Sequence, residues 1–139
     1  MVETQSIALF TMANELIPVV AAVDDDFRVR ESIESLLESA GYATILFASA
    51  EEFLGSGTLA TATCVITDVR MPGIDGFELQ RRIKRERPLL PVILISAHHN
   101  DRIRQKAIDE GAVDFLYKPF DGAELLRIIR LALNNNPEK

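Results

Sequence analysis

Cysteine is almost missing from this 139-residue chain: Cys64 stands alone, which excludes a disulfide framework and a cysteine-rich metal centre. It sits in the apolar segment Cys64-Val65-Ile66, where a free thiol behaves as a small core residue, and no chemistry is assigned to it. A reducing, cytoplasmic setting is the expectation that follows. Long apolar runs are lacking as well, and none approaches the roughly 20 residues of a membrane-spanning helix, so no membrane partner is expected. The short apolar patch Ile7 to Phe10 has Glu3 ahead of it and neither Lys nor Arg, so it lacks the basic start of a secretory signal. Cations are outnumbered, 15 Lys and Arg against 21 Asp and Glu, for a formal charge of -6. Neutralising nucleic-acid phosphates needs clustered Lys and Arg, so direct nucleic-acid binding is not expected of this domain.

What is present is the balance of an ordinary globular protein, 47% hydrophobic and 26% charged residues, in a length that fits one domain with one core. Ile17 to Val23 is a nearly continuous apolar run, as in a strand buried on both faces, and it stops at Asp24-Asp25-Asp26. Val29, Ile33, Leu36, Leu37 and Ala40 then recur at helical spacing, with Asp26 as the N-cap and Gly41 at the C-terminal end. Tyr42 to Ala48 reads as a second strand, and Ser49 with Glu52 as the capping box of a short helix. Cys64 to Thr67 is a third strand running into Asp68, followed by a turn-rich loop through Gly76 and a helix from Phe77 to Arg87. Pro91 to Ser96 is a fourth strand, and Asp101 to Glu110 a helix closed by Gly111. Val113 to Tyr117 is a fifth strand, after which Asp121 and Glu124 form a capping box for a helix that turns Leu125, Leu126, Ile128, Ile129 and Leu133 inward.

Five strand-helix repeats predict an α/β fold, a doubly wound five-stranded parallel sheet with helices on both faces, over residues 17-133. Residues 1-16 read as a peripheral extension and 134-139 as a polar tail or the start of a linker. Sites in such folds lie beyond the carboxyl ends of the strands. There the chain places Asp24 to Asp26, Asp68, Ser96 and Lys118. Carboxylates converging from the first and third strand ends repel unless a cation compensates, and an all-oxygen donor set without EF-hand spacing points to magnesium. Lys118 adds a point cation and Ser96 a hydroxyl, the groups that phosphoryl oxygens seek. The set suits phosphoryl transfer to Asp68 as nucleophile. Taken singly, each is as easily a cap, a turn former or a bland surface group; it is their joint placement that carries the functional reading. His98 and His99 read as solvated loop residues.

The segments Val23-Asp24-Asp25-Asp26, Thr67-Asp68-Val69-Arg70-Met71-Pro72-Gly73, Leu94-Ile95-Ser96-Ala97 and Lys118-Pro119-Phe120 resemble the response regulator receiver family over residues 17 to 133. Asp68 to Pro72 and Gly111 to Phe115 are similar to receivers of the nitrogen-fixation regulator type. The resemblance implies a flavodoxin-like (βα)5 fold and a bacterial two-component relay. In it Asp68 takes a phosphoryl group from a histidine kinase or phosphotransfer protein. Magnesium is held by Asp24, Asp25, Asp68 and the Arg70 backbone carbonyl, with Ser96 as the switch hydroxyl and Lys118 as the phosphate-pairing cation. It further implies a cis Lys118-Pro119 bond, an aromatic switch at Phe115, and a homodimer on phosphorylation. His98, two residues beyond Ser96, would border the phosphoryl group and tune its lifetime. No other cofactor is implied, and no enzyme activity beyond self-catalysed phosphorylation from small donors and autodephosphorylation. Ser96 stands where many members have Thr, and Phe115 where many have Tyr, so a mechanism needing a tyrosine hydroxyl is in doubt. The alternatives are a phosphate-independent receiver-like scaffold, an Asp-nucleophile phosphatase of the haloacid dehalogenase class, and a flavodoxin-like binding module. The phosphatase motif needs an acid at position 70, which is Arg, and three aspartates after the first strand would repel a flavin phosphate.

Overall fold

The computed structural model describes residues 17–135, so the expectations for residues 1-16 and for the last four residues of the tail lie outside the described residues. Five parallel strands, β1 (Val19–Val23), β2 (Ala43–Phe47), β3 (Cys64–Asp68), β4 (Val92–Ser96) and β5 (Asp114–Tyr117), form one sheet in the order β2-β1-β3-β4-β5. They alternate with helices α1 (Phe27–Ser39), α2 (Ala50–Gly55), α3 (Gly76–Glu86), α4 (Asp101–Asp109) and α5 (Gly122–Asn134). The doubly wound fold read from the sequence is the fold observed.

The central strands are apolar throughout because each of their faces meets a core. Val20 and Ala22 of β1, Cys64 and Ile66 of β3, and Ile93 and Ile95 of β4 pack with Ile33 and Leu37 of α1 and Leu125, Ile129 and Leu133 of α5. The alternate residues, Ala21, Val23, Val65, Val92 and Leu94, pack with Phe53 of α2, Leu79 and Ile83 of α3 and Ala107 of α4. Two faces with period-2 alternation thus share one run of apolar residues. Burial raises the Cys64 thiol to about 12, which leaves it an inert core group.

Helix ends follow their local chemistry. The side chains of Asp26, Ser49, Asp75, Asn100 and Asp121 each accept a backbone N–H of the first helical turn. α1 and α4 close in the same way: Gly41 (φ 89°) and Gly111 (φ 107°) donate to the carbonyls of Glu38 and Ile108, and Tyr42 and Ala112 to those of Leu37 and Ala107. Those paired bonds are the Schellman motif, which needs a left-handed residue after the helix.

Some expectations change at the margins. Ala40 is exposed, since it is the C-cap of α1, and Leu126 is only half buried. The Asp121-Glu124 box forms by half: Asp121 caps Ala123, whereas Glu124 pairs with Arg127 at 2.7 Å instead of reaching back. A 3-10 turn at Thr58–Ala60, not anticipated from sequence, precedes β3.

The order β2-β1-β3 means that the chain goes from β1 to β2 on one side and then crosses back to β3 on the other. The crevice between the carboxyl ends of β1 and β3 is therefore the topological switch point at which open α/β sheets place their sites.

Candidate functional site

Asp24 and Asp68 flank that crevice. Val23 of β1 is in register with Thr67 of β3, so the two residues that follow are side by side. Asp24 is fully buried, Asp68 is 6% exposed, and Asp25 turns to solvent. One carboxylate oxygen from each of Asp24, Asp25 and Asp68 lies within 4.8 Å of the others. At an effective dielectric near 20, two unit charges that close repel by roughly 3 kcal/mol.

Lys118 is aimed at this charge. Its Nζ stands 2.8 Å from Asp24 Oδ2 and 3.3 Å from Asp68 Oδ2. It is carried there by β5, whose Tyr117 is in register with Ser96 of β4, and the Lys118 N–H donates to the Ser96 carbonyl at 2.8 Å. The Lys118-Pro119 bond is cis, as the sequence resemblance implied. Burial pulls the Lys118 ammonium down, but the hydrogen bond and charge of Asp24, with the charge of Asp68, outweigh it, so its pKa ends above the ordinary value. For Asp68 the balance runs the other way for an acid: burial and then the Asp24 charge raise it to about 6, with Lys118 opposing.

Asp24 is held rigidly. Its Oδ1 accepts the Asp26 N–H at 2.8 Å, and Arg30 Nη1 donates to its carbonyl at 2.7 Å. Its Oδ2 is buried, and the Lys118 ammonium at 2.8 Å is the one partner it has among the described residues. A buried, under-satisfied carboxylate oxygen beside two further carboxylates is a donor set that fits a hard divalent cation such as magnesium. The Arg70 backbone carbonyl follows Asp68 by two residues at the start of the exposed loop, and no contact of it defines a role.

Ser96 is buried at the end of β4. Its Oγ accepts the His98 N–H at 3.0 Å, while the His98 carbonyl stands at the outer limit of 3.5 Å. Phe115, 3% exposed, is packed inside the core with Tyr117 edge-on against it at 5.2 Å. His98 is exposed as expected. His99, also expected to be solvated, is exposed but engaged: it stacks on Tyr117 at 4.4 Å, and its Nε2 lies 3.2 Å from the Lys118 carbonyl.

Two supports of the Asp68 loop carry no obvious sequence signal. Glu51 Oε2, on α2, accepts the Ile74 N–H at 2.9 Å, and that bond holds the Glu51 carboxyl below its usual range. Gly76, at the start of α3, donates to the Val69 carbonyl at 2.8 Å, and a Cβ there would overlap the Asp68 carbonyl. Glycine lets α3 start directly behind the residue at the centre of the site.

Residues 20–130 match the family described as the response regulator receiver domain. The chain belongs to that family. Similar proteins include the transcriptional regulatory protein FixJ of Azorhizobium caulinodans, 40% identical over 120 residues, covering 86% of this chain and 57% of the relative. The response regulator protein TodT of Pseudomonas putida is 41% identical over 121 residues, 87% of this chain and 53% of the relative. Among solved structures, the BeF3-activated DrrB receiver domain superposes with a TM-score of 0.80 at 30% identity, covering 86% of this chain and all of that one. Full-length FixJ from B. japonicum gives 0.75 at 38% identity, with 84% and 58% covered. The likeness to nitrogen-fixation regulators read from Asp68 to Pro72 and Gly111 to Phe115 is thus borne out. The receiver spans a little over half the length of these curated relatives. Among its described residues, no helix is long and apolar enough to cross a membrane.

Proposed function

We propose that this receiver accepts a phosphoryl group on Asp68 from the phosphohistidine of a histidine kinase or phosphotransfer protein, and that the acyl phosphate changes its partner-binding surface. The observation that carries the reading is the environment of Asp68. Its carboxylate is nearly buried at the end of β3 beside a second carboxylate, with an ammonium 3.3 Å away. A carboxyl raised to about 6 is mostly ionised above pH 7, yet less stabilised than a solvated one, which suits a nucleophile.

In the transfer, an Asp68 oxygen forms a bond to phosphorus as the phosphorus–nitrogen bond to the donor imidazole breaks, and that imidazole keeps the electron pair and takes a proton. Lys118 pairs with the phosphoryl oxygens, and the Ser96 hydroxyl donates to one of them. Asp24, Asp25, Asp68 and the Arg70 carbonyl would hold magnesium, which supplies neutralisation of charge on the transferring group. The same residues allow slow self-catalysed phosphorylation from small donors and autodephosphorylation, with His98 bordering the group and tuning its loss.

The readout is a population shift. Phe115 already lies inside the core here, so a simple inward swing of that ring is not the change to expect from this conformation. The packing that ties Phe115 to Tyr117 and α4 is the element to bias, and the face formed by α4, β5 and α5 is where a homodimer forms on phosphorylation. The cytoplasm is the setting in which such a relay operates.

The test is intact-protein mass after incubation with acetyl phosphate and magnesium. One phosphoryl adduct is expected, lost in Asp68→Asn and in EDTA. No adduct, together with no beryllofluoride binding, would leave the fold standing and favour a phosphate-independent scaffold.

A further inference from the structure

His98 and His99 lie in the loop between β4 and α4, and only one of them is tied down. The His99 ring lies flat on Tyr117, with centroids 4.4 Å apart and planes 14° from parallel, and its Nε2 is 3.2 Å from the Lys118 carbonyl. That carbonyl only accepts, so the ring nitrogen facing it carries the proton. Tyr117 in turn stands edge-on to the buried Phe115 at 5.2 Å, and its hydroxyl donates to Asp101 at the start of α4 at 3.4 Å. One exposed side chain therefore joins the loop that follows Ser96 to the residue that brings an ammonium to Asp68.

Within that loop, Ser96 Oγ accepts the His98 N–H at 3.0 Å, and its own proton finds only a 3.5 Å contact. The hydroxyl is thus oriented through its lone pair while its proton remains available to a new acceptor. The orientation depends on where the His98 backbone sits, and the next residue is the one clamped to Tyr117 and Lys118. We propose that His99 is a positioning residue, a clamp that pre-organises the Ser96 hydroxyl and the Lys118 ammonium with respect to one another for a phosphoryl group on Asp68. The proposal rests on the reading of Asp68 as phosphoacceptor. The clamp touches no reacting atom and acts through the backbone on both sides.

The experiment titrates beryllofluoride, with saturating magnesium, into wild type and into His99→Ala, His99→Gln and His99→Phe, following backbone amides by NMR. Losing one hydrogen bond and one stacked ring at an exposed position weakens binding by about threefold to tenfold in His99→Ala. His99→Gln keeps a donor for the Lys118 carbonyl, His99→Phe keeps the stacked face, and each recovers part of the loss. His99 is exposed, so all variants should unfold at nearly the wild-type midpoint. Wild-type affinity in His99→Ala, tighter binding, or no recovery in either conservative variant overturns the clamp. A wild type that binds neither beryllofluoride nor a phosphoryl group removes the phosphoacceptor reading instead. The clamp is then judged on ligand-free spectra: displaced Ser96, His98 and Tyr117 resonances in His99→Ala support it, and unmoved ones overturn it.

Discussion

Replacing Asp68 by Asn should stabilise the cation-free protein, and by an amount that depends on pH. Asp68 rises from 3.8 to about 6 on folding, mainly through burial and then through Asp24. At about 1.36 kcal/mol per unit, the ionised carboxylate costs the folded state about 3 kcal/mol. A carboxyl with a raised folded pKa holds its proton more tightly when folded. Its contribution is therefore most favourable below about 3.8 and is lost as pH rises through about 6. Asn carries no charge at any pH. The gap between Asp68→Asn and wild type should be about 3 kcal/mol at pH 8, narrow through pH 6, and nearly close by pH 4. In a domain of this size 3 kcal/mol corresponds to ~10 °C in the unfolding midpoint. Urea unfolding in EDTA at several pH values, followed by circular dichroism, measures it. Magnesium should then stabilise wild type more than the variant, since ligand binding adds stability as the logarithm of occupancy. A gap of equal size at pH 5 and pH 8, or a variant less stable than wild type at pH 8, would refute the idea that the Asp68 charge is held under strain.

Gly76→Ala should destabilise the fold by about 2 kcal/mol or more, because the added Cβ meets backbone of Asp68 and Val69 that has no room to yield; urea midpoints and the yield of phosphoryl adduct read both effects. Glu51→Ala should leave global stability nearly unchanged but speed amide exchange at Ile74, whose N–H it bonds. Because that bond lowers the Glu51 carboxyl, wild-type protection at Ile74 should itself fade only as pH drops below the ordinary glutamate range, and protection independent of Glu51 would count against Glu51 as a support of this loop.

The sheet was legible because fully buried parallel strands leave unbroken apolar runs, and the site because parallel strands all end on one edge. Asp24, Asp68, Ser96 and Lys118 each follow or end such a run, so a one-dimensional rule was enough to gather them. The rule could not separate Asp24 from Asp25, one fully buried and one exposed, since that depends on which way the chain turns after β1. Glu51 stayed hidden for another reason: its partner Ile74 is 23 residues away and offers only a backbone N–H, which no side-chain pattern encodes. Gly76 was visible only as a turn former, although its backbone is helical and the requirement is a close approach to Asp68. His99 was read as solvated from its polar neighbours. Exposure was the right inference, but the stacking partner Tyr117 is reached only through the pairing of β4 with β5.

Charge at the site ties these details together. Asp24, Asp25 and Asp68 against Lys118 leave two net negative charges around a mostly buried crevice, and the one ammonium is shared between Asp24 and Asp68. A divalent cation would bring the sum to zero, which is why cation binding should favour the ionised form of Asp68 and compete with its protonation. Converting that carboxylate to an acyl phosphate makes the crevice negative again and adds acceptor oxygens. Lys118, already shared between Asp24 and Asp68, must divide itself further, and Ser96 is the neighbouring donor with a proton to give. Both groups hang from loops whose relative position is fixed by the 2.8 Å Lys118-to-Ser96 backbone bond and by His99 on the Lys118 carbonyl. On the proposed function, a change of charge at one carboxylate should therefore act first on the β4–α4 loop and on Tyr117, and through them on the surface of α4 and β5.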